Sequence, residues 1–130
     1  MYQATTRAIR VSVKPYFIDE QSEPEDSHFV WAYRVQIENT GPETVQLRSR
    51  YWRITDSAGG MQEVEGEGVV GEQPVLRPGE SFEYVSGTPL STPSGVMLGR
   101  YTMENTRGEA FEVEIPPFSL DSPYESVSVN

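Results

Sequence analysis

Three arginines in one short stretch are the residues whose types and spacing best suit the binding of a charged ligand. Arg48, Arg50 and Arg53 interleave with two aromatic residues and form the one concentrated positive segment of the sequence. Guanidinium groups bind phosphates and carboxylates through paired hydrogen bonds, and they stack on aromatic rings. The favoured interpretation is that Arg48 and Arg50 face solvent from a strand and pair with nearby glutamates. The alternatives are a site for an anion or acidic peptide, or a site for single-stranded nucleic acid.

A glycine-rich segment from Gly66 to Pro74 is the second candidate, because it contains the spacing Gly66-x-Gly68-x-x-Gly71. In dinucleotide-binding proteins, this spacing ends a parallel strand and opens a helix whose N-terminus binds pyrophosphate. Prolines after the glycines prevent a long helix and two glutamates would repel a phosphate, which argues against that site. The glycines instead predict a wide turn with positive φ angles; the alternatives are a loop that contacts a ligand or protein, and an anion site of exposed N–H groups. The contact residues of such a loop would be Gly66, Gly68, Val69, Gly71, Glu72 and Pro74.

Two acidic groups are the candidates for a divalent cation. One lies between Asp19 and Asp26, and the other is Glu63, Glu65 and Glu67, which share one face of a predicted strand. Neither group has the ligand spacing of a calcium loop. We therefore expect a solvated loop and a charged sheet edge, with weak Mg²⁺ or Co²⁺ association at most and no metal site.

Residue types that carry catalysis are scarce. The chain has no cysteine, and His28 and Lys14 are its single histidine and lysine. An imidazole base needs fixed partners, which His28 lacks in the sequence, so we expect it at the surface. The sequence thus predicts a protein that is not an enzyme and has no cofactor, with a hydrolase as the remote alternative.

Length and charge limit the remaining classes of function. The 130 residues carry 10 Lys and Arg against 20 Asp and Glu, which gives a formal net charge of −10. This charge repels phosphates and anionic lipid surfaces, so nucleic acid is an unlikely partner. No signal peptide opens the chain and no apolar stretch matches a membrane span, so we expect a cytoplasmic protein without membrane insertion.

Alternation of apolar and polar residues predicts strands along most of the chain. In Phe29 to Ile37, every second residue is apolar, which places Trp31 and Tyr33 in the core. Pro15 favours a sheet-edge position for the first strand, and Pro116-Pro117 should end the last one. The other predicted strands are Ile9 to Val13, Val45 to Ile54 with a β-bulge between Arg48 and Tyr51, Met61 to Val70 at a sheet edge, Ser81 to Val85, Val96 to Met103, and Ala110 to Ile115.

About seven short strands with frequent turns predict an all-β antiparallel sandwich. We expect one domain over residues 1–130, with an ordered body at about 5–120 and a flexible tail at 121–130. Trp52 should join the core on strand parity, while Met97 and Met103 could complete the core or line an adaptable binding surface.

Several segments together resemble the ApaG family over most of the chain. They are Gly66 to Pro74, Leu76 to Glu80, Tyr84 to Gly87, Gly95 to Met103, and Ile115 to Phe118. The resemblance implies a fibronectin type III-like sandwich. It also implies a link to cobalt and magnesium efflux, for which bacterial members carry the name CorD and are often encoded beside a diadenosine tetraphosphate hydrolase. Eukaryotic relatives occur inside F-box proteins and a DNA-polymerase-interacting protein, where the domain resembles a partner-binding module.

These observations lead us to expect a non-catalytic interaction module that affects divalent-cation homeostasis by contacting an unidentified protein partner. The contact would lie in the segment from Gly66 to Pro74. The alternative is a binder of nucleotide or phosphate ligands, such as a dinucleoside polyphosphate, that uses this loop together with Arg48, Arg50 and Arg53. The sequence leaves open whether two copies pair through a strand edge.

Overall fold

Two antiparallel sheets packed face to face form the architecture of the computed structural model, which describes residues 1–124. One sheet has the order β1-β2-β3-β7, and the other has the order β5-β4-β8-β9 with β6 also paired to β4. Two short 3-10 turns, Asp19–Gln21 and Pro24–Asp26, precede β3. The strands are β1 (Tyr2–Thr6), β2 (Ile9–Phe17), β3 (Phe29–Asn39), β4 (Val45–Asp56), β5 (Met61–Glu67), β6 (Val75–Leu76), β7 (Ser81–Leu90), β8 (Gly95–Asn105) and β9 (Ala110–Leu120).

The predicted all-β antiparallel sandwich is confirmed, with β1 and β6 as additions to the seven strands read from the sequence. The sheet-edge position expected for the first predicted strand is wrong, because β1 pairs along β2 and takes the edge itself. The pairing of β1 with β2 ends at Val13, so at Pro15 strand β2 has a neighbour, β3, on one side alone. Pro15 is tolerated there because the other side needs no N–H donor. Among the described residues, no helix has the length and apolar character needed to cross a membrane.

The core lies between the sheets and follows the alternation of the strands. Phe29, Trp31, Tyr33, Val35 and Ile37 are all buried, as the parity of β3 predicts. Trp52 is buried against Tyr33, and the two rings pack edge to face with their centroids 5.3 Å apart. The two methionines of β8 that the sequence left between core and surface, Met97 and Met103, are both buried in the core.

Two strand ends differ from the sequence-based prediction because bulges and edges accommodate prolines. β9 continues through Pro116 and Pro117 to Leu120, since its pairing with β8 shifts register over these prolines. β7 continues past Val85 to Leu90 and carries Pro89, which an edge strand tolerates. The edge position predicted for β5 is confirmed, although β5 ends at Glu67 instead of Val70.

The first residues after β9 contact the body of the protein. The Trp31 Nε1 group donates a hydrogen bond of 2.8 Å to the carbonyl oxygen of Asp121. The Tyr124 hydroxyl donates to Asp19 Oδ1 at 3.0 Å, and its ring packs near Phe17 and Phe29. Of the predicted flexible tail, residues 121–124 are thus held by specific contacts, and residues 125–130 lie outside the described residues.

A buried polar side chain joins the end of β3 to two neighbouring segments. Asn39 is 1% exposed, and its Nδ2 group donates to the carbonyl oxygens of Glu43 and Leu76 at 2.6 and 3.0 Å. Its Oδ1 atom accepts a hydrogen bond of 3.0 Å from the N–H of Gly41. One amide therefore connects the β3–β4 turn to β6.

Replacement of this amide by a carboxyl tests the connection. Asn39→Asp keeps the acceptor for Gly41 but aims a buried carboxylate at two carbonyl oxygens, so it should lower the free energy of unfolding by about 2 to 4 kcal/mol at neutral pH. The pKa of this carboxyl should rise, because its protonated form can donate to a carbonyl, and the loss should therefore shrink toward about pH 4. Urea denaturation at both pH values measures this, with Asn39→Ala as the variant whose loss should not vary with pH. Equal losses for Asn39→Asp at the two pH values would contradict the assignment.

Candidate functional site

An open cleft separates the free edges of the two sheets and is the candidate site of the protein. β5 is the last strand of one sheet and β7 is the last strand of the other. The cleft between them has a volume of about 340 Å³. We call it the edge groove and define it by Trp52, Ile54, Val64, Val69, Val70 and the segment Ser86–Pro89.

The edge groove extends along the strands beyond its widest part. A second cavity of about 260 Å³ shares Ile54, Gln62 and Pro89 with the first and continues toward Gly60 and Leu90. A strand rises about 3.4 Å per residue, so the side of the groove from Gly60 to Val64 is roughly 14 Å long. This shape suits an extended chain better than a compact small molecule.

Apolar side chains form most of the groove, and exposed ones stand at its rim. Val64 pairs in register with Trp52 but is 38% exposed. Val70 is 55% exposed and has a φ angle of 43°, which a β-branched residue rarely adopts. Strained backbone with an exposed apolar side chain is more typical of a binding surface than of a structural turn.

Tyr33 and Tyr84 line one end of the groove. The Tyr84 hydroxyl is hydrogen bonded to that of the fully buried Tyr101, and the hydroxyl of Tyr33 is hydrogen bonded to Ser86. Burial raises the pKa of all three tyrosines, while the positive charge of Arg50 opposes the rise. The phenols of Tyr33 and Tyr84 therefore stay protonated at neutral pH and are uncharged polar groups at this end of the groove.

Arg50 points into this end of the groove because of a β-bulge. The pairing of β4 with β8 shifts register between Leu47 and Ser49, which confirms the predicted bulge and places it at Arg48. The extra residue puts Leu47 and Arg50 on the same, inward face, with Arg50 opposite the buried Tyr101. The expectation that Arg50 faces solvent is therefore wrong, since simple alternation does not hold across a bulge.

The three arginines are consequently separated in space. Arg48 is exposed and donates to the side chain of Gln46 at 3.2 Å, while Arg53 is exposed beside the sulfur of Met61. Within residues 1–124, none of the three arginines forms an ion pair with a glutamate, which contradicts the expected pairing. The structure therefore replaces the predicted patch with one inward-facing arginine.

Residues 68–74 of the glycine-rich segment form a turn, as its glycines predict, and Val69 and Val70 of this turn line the groove. Gly68 and Gly71 have φ angles of 64° and 81°. Val69 and Glu72 exchange backbone hydrogen bonds of 2.8 and 2.9 Å, and the N–H of Gly68 donates to Arg48. These three N–H groups are therefore already used within the fold and are not available to an anion.

Arg50 and this segment depend on each other. The Nη1 group of Arg50 donates to the carbonyl oxygens of Glu67 and Gly68 at 3.0 and 2.9 Å. Gly66 lies within β5, where a Cβ atom would stand 2.8 Å from the same Nη1 group. Gly66 therefore leaves space for the guanidinium, a role that its motif spacing does not reveal.

Most residues of the groove were not predicted from the sequence. Tyr33 and Trp52 were assigned to the core alone, and Val64 and Val70 were not singled out. A signal for Val64 exists, because Gln62, Val64 and Gly66 form the parity of β5 opposite to its row of glutamates. The remaining predicted contact residues lie apart from the groove interior: Gly71 and Glu72 are exposed, and Pro74 accepts a backbone hydrogen bond from Leu47.

The other sequence candidates lie outside the groove. Glu63, Glu65 and Glu67 are exposed on β5, where Glu63 accepts a hydrogen bond from the Tyr51 hydroxyl. His28 is exposed and pairs with Glu23 through backbone groups. Across residues 1–124, no three His, Cys, Asp or Glu side chains are placed to hold a metal ion together.

Comparison with known proteins returns one family. The family described as the ApaG domain matches residues 19–105. "Protein ApaG" of Paramagnetospirillum magneticum is 62% identical over 130 residues, which are 100% of both chains. "Protein ApaG" of Rhodospirillum centenum is 65% identical over 124 residues, which are 95% of each chain. A crystal structure of a Bordetella pertussis protein that carries the name ApaA has a TM-score of 0.87 at 47% identity and covers 95% of this chain and 99% of that chain.

Two alanine substitutions in the turn should differ sharply in cost. A Cβ atom on Gly71 would meet open space, so the positive φ angle is the one source of strain in Gly71→Ala. This variant should have a free energy of unfolding that is lower by about 1 kcal/mol. A Cβ atom on Gly68 would stand 2.2 Å from the carbonyl oxygen of Glu72, so Gly68→Ala should lose about 3 kcal/mol or more. Chemical denaturation measures both losses. Similar values for the two variants would show that the turn is not fixed as described.

The buried tyrosines should make the protein sensitive to alkali. The folded chain holds the protons of Tyr84 and Tyr101 to higher pH than the unfolded chain, so the free energy of unfolding should fall as pH rises above about 10. Urea denaturation across this range should show a shallower fall for the double variant Tyr84→Phe/Tyr101→Phe, by up to about 1.4 kcal/mol per pH unit for each group removed. Parallel falls in the two proteins would refute the effect of burial.

Proposed function

The chain belongs to the ApaG family, and from that premise we propose that it is a non-catalytic module that binds an extended segment of a partner protein in the edge groove. One observation carries the proposal: a largely apolar groove runs between two strand edges that have no further strand beside them within residues 1–124. Such edges offer backbone hydrogen bonds to a peptide, while pockets beside them select its side chains. The free edges of β5 and β7 are the two sides available for this pairing.

The side chains in the groove support binding rather than catalysis. Those lining its widest part, within the described residues, include Arg50, tyrosines and hydroxyl groups, but no carboxylate, imidazole or amine. A hydroxyl such as that of Ser86 or Thr88 needs a neighbouring base to act as a nucleophile. In the second cavity, the Asp56 carboxylate accepts hydrogen bonds from the N–H groups of Ala58 and Gly60, and the widest part of the groove can hold a peptide but has no general base to activate water.

The role in cobalt and magnesium homeostasis that the family resemblance implies is, in this proposal, exerted in the cytoplasm through the bound protein. The acidic side chains that would suit a cation lie on the exposed face of β5 and in the turns before β3, away from the groove. A direct contribution of these side chains would be weak ion association alone.

Nucleotide or phosphate binding is the second candidate and has less support. It needs free N–H groups in the turn and converging arginines, but the N–H groups of Gly68, Val69 and Glu72 are bonded within the fold. Arg50 already uses Nη1 on two carbonyl oxygens, and Arg48 and Arg53 point elsewhere.

A charge placed in the groove should abolish peptide binding. The probes are peptides that are selected for binding to the unchanged protein from a displayed library of random sequences. Their affinity for Val64→Asp should be lower by at least about tenfold, because binding would remove water from the Asp carboxylate next to Trp52 without giving it a partner. Val96→Asp is the matched control, since Val96 is 45% exposed on β8, which is not an edge strand, and it does not line the groove. Fluorescence polarisation gives the affinities, and thermal denaturation checks that both variants fold.

Two outcomes would contradict the proposed function. One is a library that returns no peptide with saturable binding, and the other is a set of peptides that bind both variants equally well. Saturable amide NMR shifts in the turn on addition of ATP, without peptide binding, would favour the phosphate-ligand alternative instead.

A further inference from the structure

Arg50 differs from every other cationic side chain in the described part of the chain. Arg10 and Arg100 pair with carboxylates at 2.7 and 2.6 Å, and Arg7, Arg34 and Arg107 also form ion pairs. The cations without an ion pair in residues 1–124 are exposed, with the exception of Arg50. A partly buried guanidinium that has lost part of its hydration gains more from an added anion than an exposed one does.

The widest part of the groove carries a charge opposite to that of the protein. The chain carries 20 Asp and Glu residues and a net charge of −10, yet Arg50 is the one charged side chain among the residues that line the widest part of the groove. The Tyr33 hydroxyl lies at the same end and adds a neutral polar group. One guanidinium and one phenol match the two oxygens of a carboxylate, and the other side chains that line the widest part of the groove are uncharged.

We propose that the groove takes an acidic, extended segment of the partner protein, with an Asp or Glu carboxylate of that segment on Arg50. Arg50, Trp52 and Ile54 follow each other at every second position of the inward face of β4. Side chains on one face of an extended peptide repeat with the same spacing. The matching segment therefore carries an acidic residue, then an apolar residue two positions away and another two positions beyond it.

A second copy of this chain fits the β5 edge less well than such a partner. Antiparallel pairing of two β5 strands would bring two rows of Glu63, Glu65 and Glu67 together, and like charges on paired strands are destabilising. The proposal rests on the protein-binding function proposed above and specifies the chemistry of its ligand.

A double-mutant cycle tests the carboxylate contact. The probes are the tightest peptide from the displayed random library and the same peptide with its acidic residue changed to the corresponding amide. The protein variant is Arg50→Gln, which removes the charge and is too short to keep the Nη1 hydrogen bonds to the carbonyl oxygens of Glu67 and Gly68, so its effect on the amide peptide measures the change in the turn. We expect Arg50→Gln to weaken the acidic peptide at least about tenfold more than the amide peptide.

Further measurements distinguish the two ways in which Arg50→Gln could weaken binding, which are a changed turn and a lost charge. Tyr33→Phe leaves Arg50 and the turn intact and should weaken the acidic peptide by a few-fold, with little effect on the amide peptide. Peptides that lose binding to Val64→Asp but lack an acidic residue would overturn the carboxylate contact and leave the proposed function standing. Equal weakening of both peptides by Arg50→Gln would also overturn it, whereas a library without groove-dependent peptides would remove both proposals.

Discussion

The β-bulge at Arg48 is the constraint on which the candidate site depends. One extra residue in β4 reverses the side-chain parity between Leu47 and Arg50, so a charged residue enters the face that otherwise carries Trp52 and Ile54. Without the bulge, alternation from Leu47 would place Ser49 on the inward face and Arg50 on the outward face. The charge of the groove is thus fixed by the backbone register of one strand pair.

The bulge also explains why the glycine-rich segment is placed where it is. The guanidinium of Arg50 binds two carbonyl oxygens at the end of β5 and occupies the space that a side chain on Gly66 would need. The turn then returns the chain so that Val69 is buried and Val70 stands at the rim. The wall of the groove, its charge and its exposed apolar rim are therefore consequences of one contact between β4 and the turn after β5.

The alternation of apolar and polar residues was enough to predict the sandwich but not the groove. The alternation in β3 predicts its buried face, and the slip in β4 predicts a bulge within one residue of its position. β1 was not predicted because its residues are mostly polar. The turn that follows it also has Arg7 and Ala8 at positive φ angles, where glycine is expected. The groove could not be read from the sequence because β5 and β7 do not pair, so no register or spacing relates them.

An acidic ligand on a protein of net charge −10 needs attraction that acts at short range. At physiological ionic strength, charges more than about 8 Å apart in water are largely screened, so the exposed carboxylates of β5 repel a ligand weakly. Inside the groove, the lower dielectric strengthens the attraction of Arg50 at contact distance. The same charge distribution disfavours segments that bring a second negative charge to the outer face of β5. An acidic residue is thus favoured at one position of the ligand and opposed beside it, which makes the net charge of the protein a source of specificity.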